Sequence, residues 1–298
     1  MESCRISFDE RMIISVIIPV FKDWKRLSRC LEGLDKQTLS KEEFEILIVN
    51  NDPKSKVPEG YCFPVNSKLI HQSIPGSYAA RNLAIATAKS EYLAFTDSDC
   101  IPKEDWLENA LELLSSGLDL VGGKITLFKP SKGTDLAYIY EHHFSFNQKK
   151  NVQEKGQSVT ANLIGKRAIF QDIGLFREDL LSGGDFEWTR RATSKGYKIG
   201  FGENVIVSHP ARKNLKQLVK KRKRTVGGMY FMNFHKFSSK QRLEYTLMAL
   251  RPRVTIFTYQ GIGLKQKFQL FFATWYVEFI GVMELFLLDK RFKGAERL

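Results

Sequence analysis

Residues 91–100 read EYLAFTDSDC. An apolar run of strand length passes directly into a turn carrying two aspartates two positions apart, Asp97 and Asp99. Such a run, bounded by turn residues, marks a buried strand. The same pattern recurs upstream. IISVIIPV at 13–20 is rich in β-branched residues and reads as a strand buried on both faces. FEILIV at 44–49 is a second strand and ends at the turn NNDP, 50–53; residues 67–71 are a third. Between the strands, 24–36 spaces Trp24, Leu27, Leu31 and Leu34 at helical intervals. Residues 77–89 are Ala-rich and start just after Pro75-Gly76. A helix over 103–115 and a strand over 118–122 follow. This alternation implies βαβ units and a mostly parallel sheet with helices on both faces. Ligands of such sheets bind beyond the carboxyl ends of the strands. NNDP and TDSDC both stand at carboxyl ends, so one site is expected to use both.

The second half reads differently. Residues 134–146 are an amphipathic helix, 158–164 a short strand and 166–172 a short helix. The turn Gly183-Gly184-Asp185 leads into a helix over 186–195. A strand over 203–208 ends at His209-Pro210, and a basic helix over 214–226 follows. The tail from Lys236 stands apart. Its segment 265–289 is strongly apolar, with Lys267, Thr274, Glu278, Gly281 and Asp289 close to one helical stripe. Glu278 and Glu284 oppose a bilayer crossing. The basic flanks Lys265, Lys267, Lys290, Arg291 and Lys293 suit anionic headgroups. Two readings stay open: a helix lying on a membrane surface, or one packed on the protein's own core.

Bulk properties narrow the partners. The chain has 298 residues, 43% hydrophobic, enough for a sizeable core. Lys and Arg number 46 against 33 Asp and Glu, a net charge of +13. That charge favours phosphates, acidic headgroups or nucleic acid; with no recognition motif for the last, no nucleic acid is expected. Cys4, Cys30, Cys62 and Cys100 are scattered without zinc spacing, as in a reducing, cytoplasmic protein. The acidic N-terminus MESCRISFDER does not read as a signal peptide, and 13–20 is too short to span a bilayer. The neighbours His142 and His143 point to different faces, so no shared metal is expected there.

Three constellations carry chemistry. In an extended stretch, Asp97 and Asp99 point to the same side and can face one hard cation, which would neutralise a diphosphate leaving group. The competing reading is a surface turn with two solvated aspartates; the place at the end of an apolar strand favours the site. In the Gly-Gly-Asp turn, Asp185 stands near a helix N-terminus, either as a plain N-cap or as a functional carboxylate, and Glu187 is equally an ordinary helix residue. The run Lys213 to Arg224 could hold phosphates of donor or acceptor, bind lipid, or form a solvated helix face. No P-loop, no zincin H-E-x-x-H and no G-x-S-x-G is present, and Gly261 and Gly263 lack the third glycine of a dinucleotide loop.

Taken together, SVIIPVFKDWKRLSRCLEGLDKQT (15–38), EILIVNNDP (45–53), GSYAARNLAIATAK (76–89), YLAFTDSDCIPKEDWLENAL (92–111) and SGGDFEWTRRATSKGYKI (182–199) resemble a family 2 glycosyltransferase of GT-A fold. The resemblance covers about 14–210. It implies an α/β fold with a Rossmann-like, mixed but mostly parallel sheet and an inverting, metal-dependent transfer from a nucleotide-sugar, a UDP-sugar first. Pro19 and Val20 would border the base. Asn50 stands where the family usually has an aspartate that contacts the base, so that contact would be neutral here. Arg81 would reach the nucleotide or its phosphates. Where the family often has glycine after AARN, this chain has Leu83-Ala84, a packing change. Asp97 and Ser98 would meet the donor, Asp97 and Asp99 the metal (Mn²⁺ or Mg²⁺), and His209 is an additional metal candidate beside its reading as a capped histidine. Asp185 matches the catalytic base.

The expected organisation is a glycosyltransferase domain over 1–235, with a nucleotide-binding half to about 125 and an acceptor half to 235, and a helical extension over 236–298. Expected partners are the donor, a saccharide or lipid-linked acceptor and an anionic membrane surface, in the cytoplasm or at the inner face of the cell membrane. The competing functions are a non-catalytic nucleotide-sugar or polyanion binder and a nucleotidyltransferase; the latter usually carries a Gly- and Lys-rich loop after the first strand, and FKDWK has no glycine.

Overall fold

The computed structural model describes residues 12–290 apart from 53 and 55. The N-terminal segment with Cys4, the turn residue Pro53, the side chain of Asp289, and Arg291 and Lys293 lie outside the described residues. In chain order the elements are β1 (Ile14–Val20), α1 (Trp24–Asp35), β2 (Phe44–Asn50), β3 (Ser67–His71), α2 (Ser77–Thr87), β4 (Tyr92–Thr96), β5 (Ile101–Pro102), α3 (Trp106–Ser115), β6 (Leu120–Phe128), α4 (Asp135–Phe144), α5 (Gln148–Lys155), β7 (Asn162–Lys166), α6 (Arg167–Ile173), α7 (Gly184–Ser194), β8 (Ile199–Pro210), α8 (Leu215–Met232), α9 (Ser239–Leu250) and α10 (Leu264–Asp289). The chain forms two compact units, the first from 1–126, 147–178 and 185–209, the second from 127–146, 179–184 and 210–298.

The first unit is built on an eight-stranded sheet in the order β3-β2-β1-β4-β7-β6-β8-β5. β3, β2, β1 and β4 are parallel, as the alternating first half requires. β7 then runs antiparallel to β4 and β6, and β8 antiparallel to β5. The sheet is therefore mixed. Its parallel half owes its order to the continuous β-branched runs: Ile14, Val16, Ile18, Ile46 and Ile48 are all buried against Leu27, Leu31, Leu34 and Trp106 from the helices. Each such side chain contributes roughly 1.5–3 kcal/mol on burial.

The strand expected at 158–164 begins only at Asn162. Ser158 and Thr160 are buried and Val159 is partly buried, and the segment is irregular, because side chains rather than a neighbouring strand satisfy its N–H groups. Thr189 Oγ1 accepts from Ser158, Gln148 Oε1 from Val159 and Asp185 Oδ2 from Thr160. Asn162 is a second polar hub: its amide donates to the carbonyls of Lys124 and Val205, and its oxygen accepts from the Trp106 indole. A Cβ on Gly123 would stand 2.3 Å from that amide, which leaves no room for a side chain there.

The second unit is helical. α8 and α10 pack together through Leu218, Leu270 and Val277. The polar stripe of α10 is turned inward. Thr274, Glu278 and Glu284 are buried; Glu278 pairs with Arg222 at 2.6 Å and Arg253 at 3.0 Å, and Glu284 with Lys223 at 3.2 Å. Gly281 permits the close crossing, since a Cβ there would meet Arg222 Nε at 2.7 Å. On α4, fully buried Glu141 accepts from Lys221 Nζ at 2.8 Å and from the Arg212 N–H at 2.6 Å. Burial works to raise the Glu141 pKa, but Lys221 and Arg212 outweigh it and hold the carboxylate below its ordinary range. Burial in turn pushes Lys221 down to about 8. His143 stacks on Tyr259 with ring centres 4.3 Å apart.

Candidate functional site

In the first unit the carboxyl ends of β1, β2 and β4 lie side by side. The register pairs Val20 with Asn50 and Ile17 with Phe95, so Pro19, Asn50 and Asp97 emerge at one edge. From β1 the chain goes through α1 to β2 on one side, while β4 is added on the other side after α2, so the strand order reverses here, the switch at which open α/β sheets bind ligands. The antiparallel β7 adds its own start to the same edge: Thr96 pairs with Asn162, which brings Thr160 beside the end of β4. β8 adds its end, because Ile101 pairs with Ser208 and sets His209 next to the aspartate turn.

Each expected residue can be placed. Pro19 and Val20 end β1, Val20 being buried. Asn50 is buried at the end of β2, and its Oδ1 accepts from the Asp52 N–H at 3.0 Å. Asn51 serves as a staple: its amide donates to the carbonyls of Gln72 and Ile74, and its Oδ1 accepts from Gly76 N–H at 2.8 Å. This fixes the entry of α2, on which Arg81 is carried. Arg81 is buried and pairs with Asp97 Oδ1 at 2.5 Å. Its neighbour Asn82 has a different task, gripping the backbone of Phe176 through both N–H and carbonyl. Ser98 lies between the two aspartates and is half-buried.

Asp97 and Asp99 diverge in their partners. Asp99 takes the Arg26 guanidinium at 3.0 Å, and its other oxygen stands 3.6 Å from His209 Nε2. Among the described residues, Asp99, Cys100 and His209 form the group whose ligand atoms lie within 4.8 Å of one another. Burial, with Asp97 and Asp99 nearby, raises the Cys100 pKa well above the ordinary thiol value. Asp99 and His209 supply a carboxylate and a buried imidazole, a donor set for a divalent cation, with Asp97 close by in sequence.

Asp185 is in the first turn of α7 rather than at its cap, since the helix begins at Gly184. Gly183 before it has φ +83°, a left-handed turn open to glycine. α7 is seated by aromatic packing: Trp188 stacks on Phe170 at 4.0 Å, with Phe95 and Phe176 completing the cluster. The Asp185 carboxylate accepts from Tyr78 OH at 3.2 Å, Phe186 N–H at 3.0 Å and Thr160 N–H at 3.3 Å. Burial nonetheless outweighs these bonds and the nearby Arg81 charge, and raises its pKa above the ordinary aspartate value. A carboxylate held still by three donors, with a pKa moved toward neutrality, is suited to accept a proton. A hollow of about 480 Å³ lies elsewhere, along α7, lined by Glu187, Arg190, Arg191, Ser194 and Lys195, and includes none of these carboxylates.

Four site residues escaped sequence reasoning: Arg26, Asp52, Tyr78 and Thr160. Arg26, Tyr78 and Asp52 stood inside quoted motifs but carried no signal of their own. Arg26 and Thr160 reach the site through packing that no local pattern reports.

Comparison with known proteins fixes the family. The family model described as Glycosyl transferase family 2 matches residues 15–174. Glycosyltransferase AglE of Haloferax volcanii is 36% identical over 205 residues, 67% of each chain. A Methanococcus voltae enzyme, named a dolichyl N-acetyl-alpha-D-glucosaminyl phosphate 3-beta-D-2,3-diacetamido-2,3-dideoxy-beta-D-glucuronosyltransferase, is 25% identical over 224 residues, 70% of each chain. The crystal structure of S. aureus TarS 1–349 in complex with UDP-GlcNAc has the same fold, with a TM-score of 0.56 at 16% identity over 94% of this chain and 91% of that one. The mixed sheet, its flanking helices and the C-terminal helix are thus of GT-A type. The family match covers more than half of the chain and includes the aspartate turn at the carboxyl end of β4, so this protein belongs to glycosyl transferase family 2 and is a glycosyltransferase.

Proposed function

We propose that the chain is an inverting transferase that moves a sugar from a nucleotide-sugar, a UDP-sugar first, to a hydroxyl of a saccharide or lipid-linked acceptor in cell-surface polysaccharide or glycolipid synthesis. The observation that carries the reading is the gathering of three aspartates and a buried arginine at one sheet edge, with Asp185 held by Tyr78, Phe186 and Thr160. TarS was crystallised with UDP-GlcNAc, and the Methanococcus voltae relative acts, by its name, on a dolichyl phosphate-linked sugar; both support the substrate classes proposed.

In this reading Pro19, Val20 and Asn50 border the base, and Arg81 with Asp97 and Ser98 meets the diphosphate. Residues 1–125 hold the nucleotide, 126–235 the acceptor, and 236–298 form an extension at the inner membrane face. Asp99 and His209, with Asp97, would hold Mn²⁺ or Mg²⁺, which supplies positive charge beside the leaving diphosphate. Asp185 takes the proton of the acceptor hydroxyl. The oxygen forms a bond to the anomeric carbon from the face opposite the diphosphate. The old carbon–oxygen bond breaks with its electron pair on the nucleoside diphosphate, and the in-line geometry inverts the centre.

Asp185→Asn tests this. Turnover is expected to fall by about a thousandfold or more while a UDP-sugar still raises the melting temperature. Wild-type turnover in that variant would remove Asp185 from the base role.

A further inference from the structure

The second unit carries a surface that a water-facing helix does not have. α10's polar residues are turned inward and ion-paired to α8, and its outer stripe is apolar: Phe268, Phe272, Trp275, Phe279, Met283 and Phe286 are all exposed. A helix facing water has the opposite pattern. The stripe runs the length of α10 and ends in exposed lysines, Lys265 at one end and Lys290 at the other. α9 packs on α10 and buries none of its own side chains; its Leu243, Leu247 and Met248 are exposed as well. Exposed Lys236, Lys240 and Arg251 border α9.

Charge identifies the occupant. The second unit holds 21 Lys and Arg against 8 Asp and Glu, and the first unit 25 of each, so the whole excess of +13 belongs to the unit with the apolar face. We infer that α9 and α10 dock this unit on an anionic lipid bilayer, α10 lying in the plane of the interface with its aromatic stripe among the acyl chains. The inference deepens the membrane-face reading above and rests on it. A crossing is excluded by the company α10 keeps. α8, packed along it, carries Lys216, Lys220, Lys221, Arg222, Lys223 and Arg224, which hydrocarbon would not accept. An in-plane helix puts the stripe in lipid and leaves α8 on the wet side, with the terminal lysines at headgroup level.

Trp275 makes the test direct. It is 44% exposed, whereas Trp24, Trp106 and Trp188 are buried. The full chain is mixed with vesicles of phosphatidylglycerol and phosphatidylcholine, and separately of phosphatidylcholine alone. Sedimentation with the anionic vesicles is expected, with a blue shift of Trp275 emission and quenching by lipids brominated near the headgroup end of the acyl chain. Partition should weaken about tenfold for each ring in Phe272→Glu and Phe279→Glu. Failure to bind anionic vesicles, unchanged Trp275 emission, or quenching only by lipids brominated at the bilayer centre would overturn the inference. So would a dimer in light scattering that the two substitutions dissolve, which would assign the face to a second copy. The thermal shift with a UDP-sugar separates the two readings. If it persists without vesicle binding, only the docking inference falls; if it is absent while vesicles bind, the donor reading falls.

Discussion

Tyr78→Phe isolates what sets the pH at which Asp185 works. The hydroxyl donates to Asp185 Oδ1 at 3.2 Å and accepts from the Asp185 N–H at 3.3 Å. Phenylalanine keeps the ring that packs on Phe176 at 5.7 Å and lies under Arg81, so the two bonds to Asp185 are lost while that packing stays. A hydrogen bond to a carboxylate stabilises its charged form by roughly 1.5–3 kcal/mol, and a bond this long belongs at the lower end. About 1.4 kcal/mol is a factor of ten. The sign follows from the direction of the shift. Asp185 already has a raised pKa because of burial, and as the proposed base it would accept a proton only when ionised. Activity is therefore present above that pKa and lost as pH falls through it. Removing a donor to the ionised form raises the pKa further. The rate of nucleoside diphosphate release against pH should show the acid limb moved to higher pH. kcat/KM should fall about tenfold on that limb and much less at alkaline pH, with KM for the donor unchanged. A profile that superimposes on wild type refutes the argument, and so does an equal loss at every pH, which would mean that the bond only positions the carboxylate.

Other outcomes follow from the same geometry. His209→Ala should weaken the stabilisation of the fold by Mn²⁺ at least about tenfold in apparent affinity, read by thermal shift, since it removes an imidazole beside Asp99. Gly228→Ala should destabilise the protein by about 1–3 kcal/mol in urea unfolding, because the new methyl would stand 2.2 Å from the Ser182 carbonyl oxygen, a backbone atom that cannot swing away. Glu141→Gln should cost about 3–5 kcal/mol in the same assay, as it leaves Lys221 and Arg212 without their buried counter-charge. The Glu141 pKa is held down in the fold, so its contribution is present above the unfolded carboxylate pKa and is lost as pH falls through the lower folded one.

How far these features could be read before the fold was known depends on the range of the force that sets them. β1, β2 and β4 announce themselves because a strand buried on both faces has no choice but a continuous apolar run. The end of such a run in a parallel sheet is where ligands go, so Asp97, Asp99 and Asn50 were legible as one group. Asp185 was legible only as one of two things; α7 starts two residues earlier than expected, at Gly184, which puts Asp185 in its first turn. α5 and α9 had no usable pattern: the first is almost wholly polar and the second has no buried residue from which a face could be inferred. His209 was visible as a strand-end histidine, but its nearness to Asp99 is set by β5, a strand of two residues that pairs with β8. Nothing in a dipeptide Ile-Pro reports such a pairing. Thr160 reaches Asp185 through an irregular segment whose N–H groups are answered by side chains from three separate places in the chain, a pattern with no period at all.

The basic run from Lys213 to Arg224 left three readings open in sequence: phosphate, lipid or a solvated helix face. In sequence it offered six or more cations to any phosphate, and the net charge of +13 pointed the same way. In the fold, the inward cations of that run have carboxylate partners within their own unit: Lys221 on Glu141, Arg222 on Glu278 and Lys223 on Glu284. The first unit, which contains the aspartate turn, has no net charge, and its cations at that turn are single, placed guanidiniums: Arg81 on Asp97 and Arg26 on Asp99. A diphosphate recognised there would be held by geometry and not by an excess of positive field, so donor affinity should depend only modestly on ionic strength. The excess charge lies in the other unit, exposed at Lys236, Lys240, Arg251, Lys265 and Lys290 around an apolar face, and screening by salt should act mainly on that face. Raising salt from about 0.05 M to 0.5 M ought therefore to release the protein from anionic vesicles while leaving the thermal shift with a UDP-sugar nearly unchanged. The reverse result, donor binding lost and vesicle binding kept, would place the working cations in the first unit and contradict this division of charge.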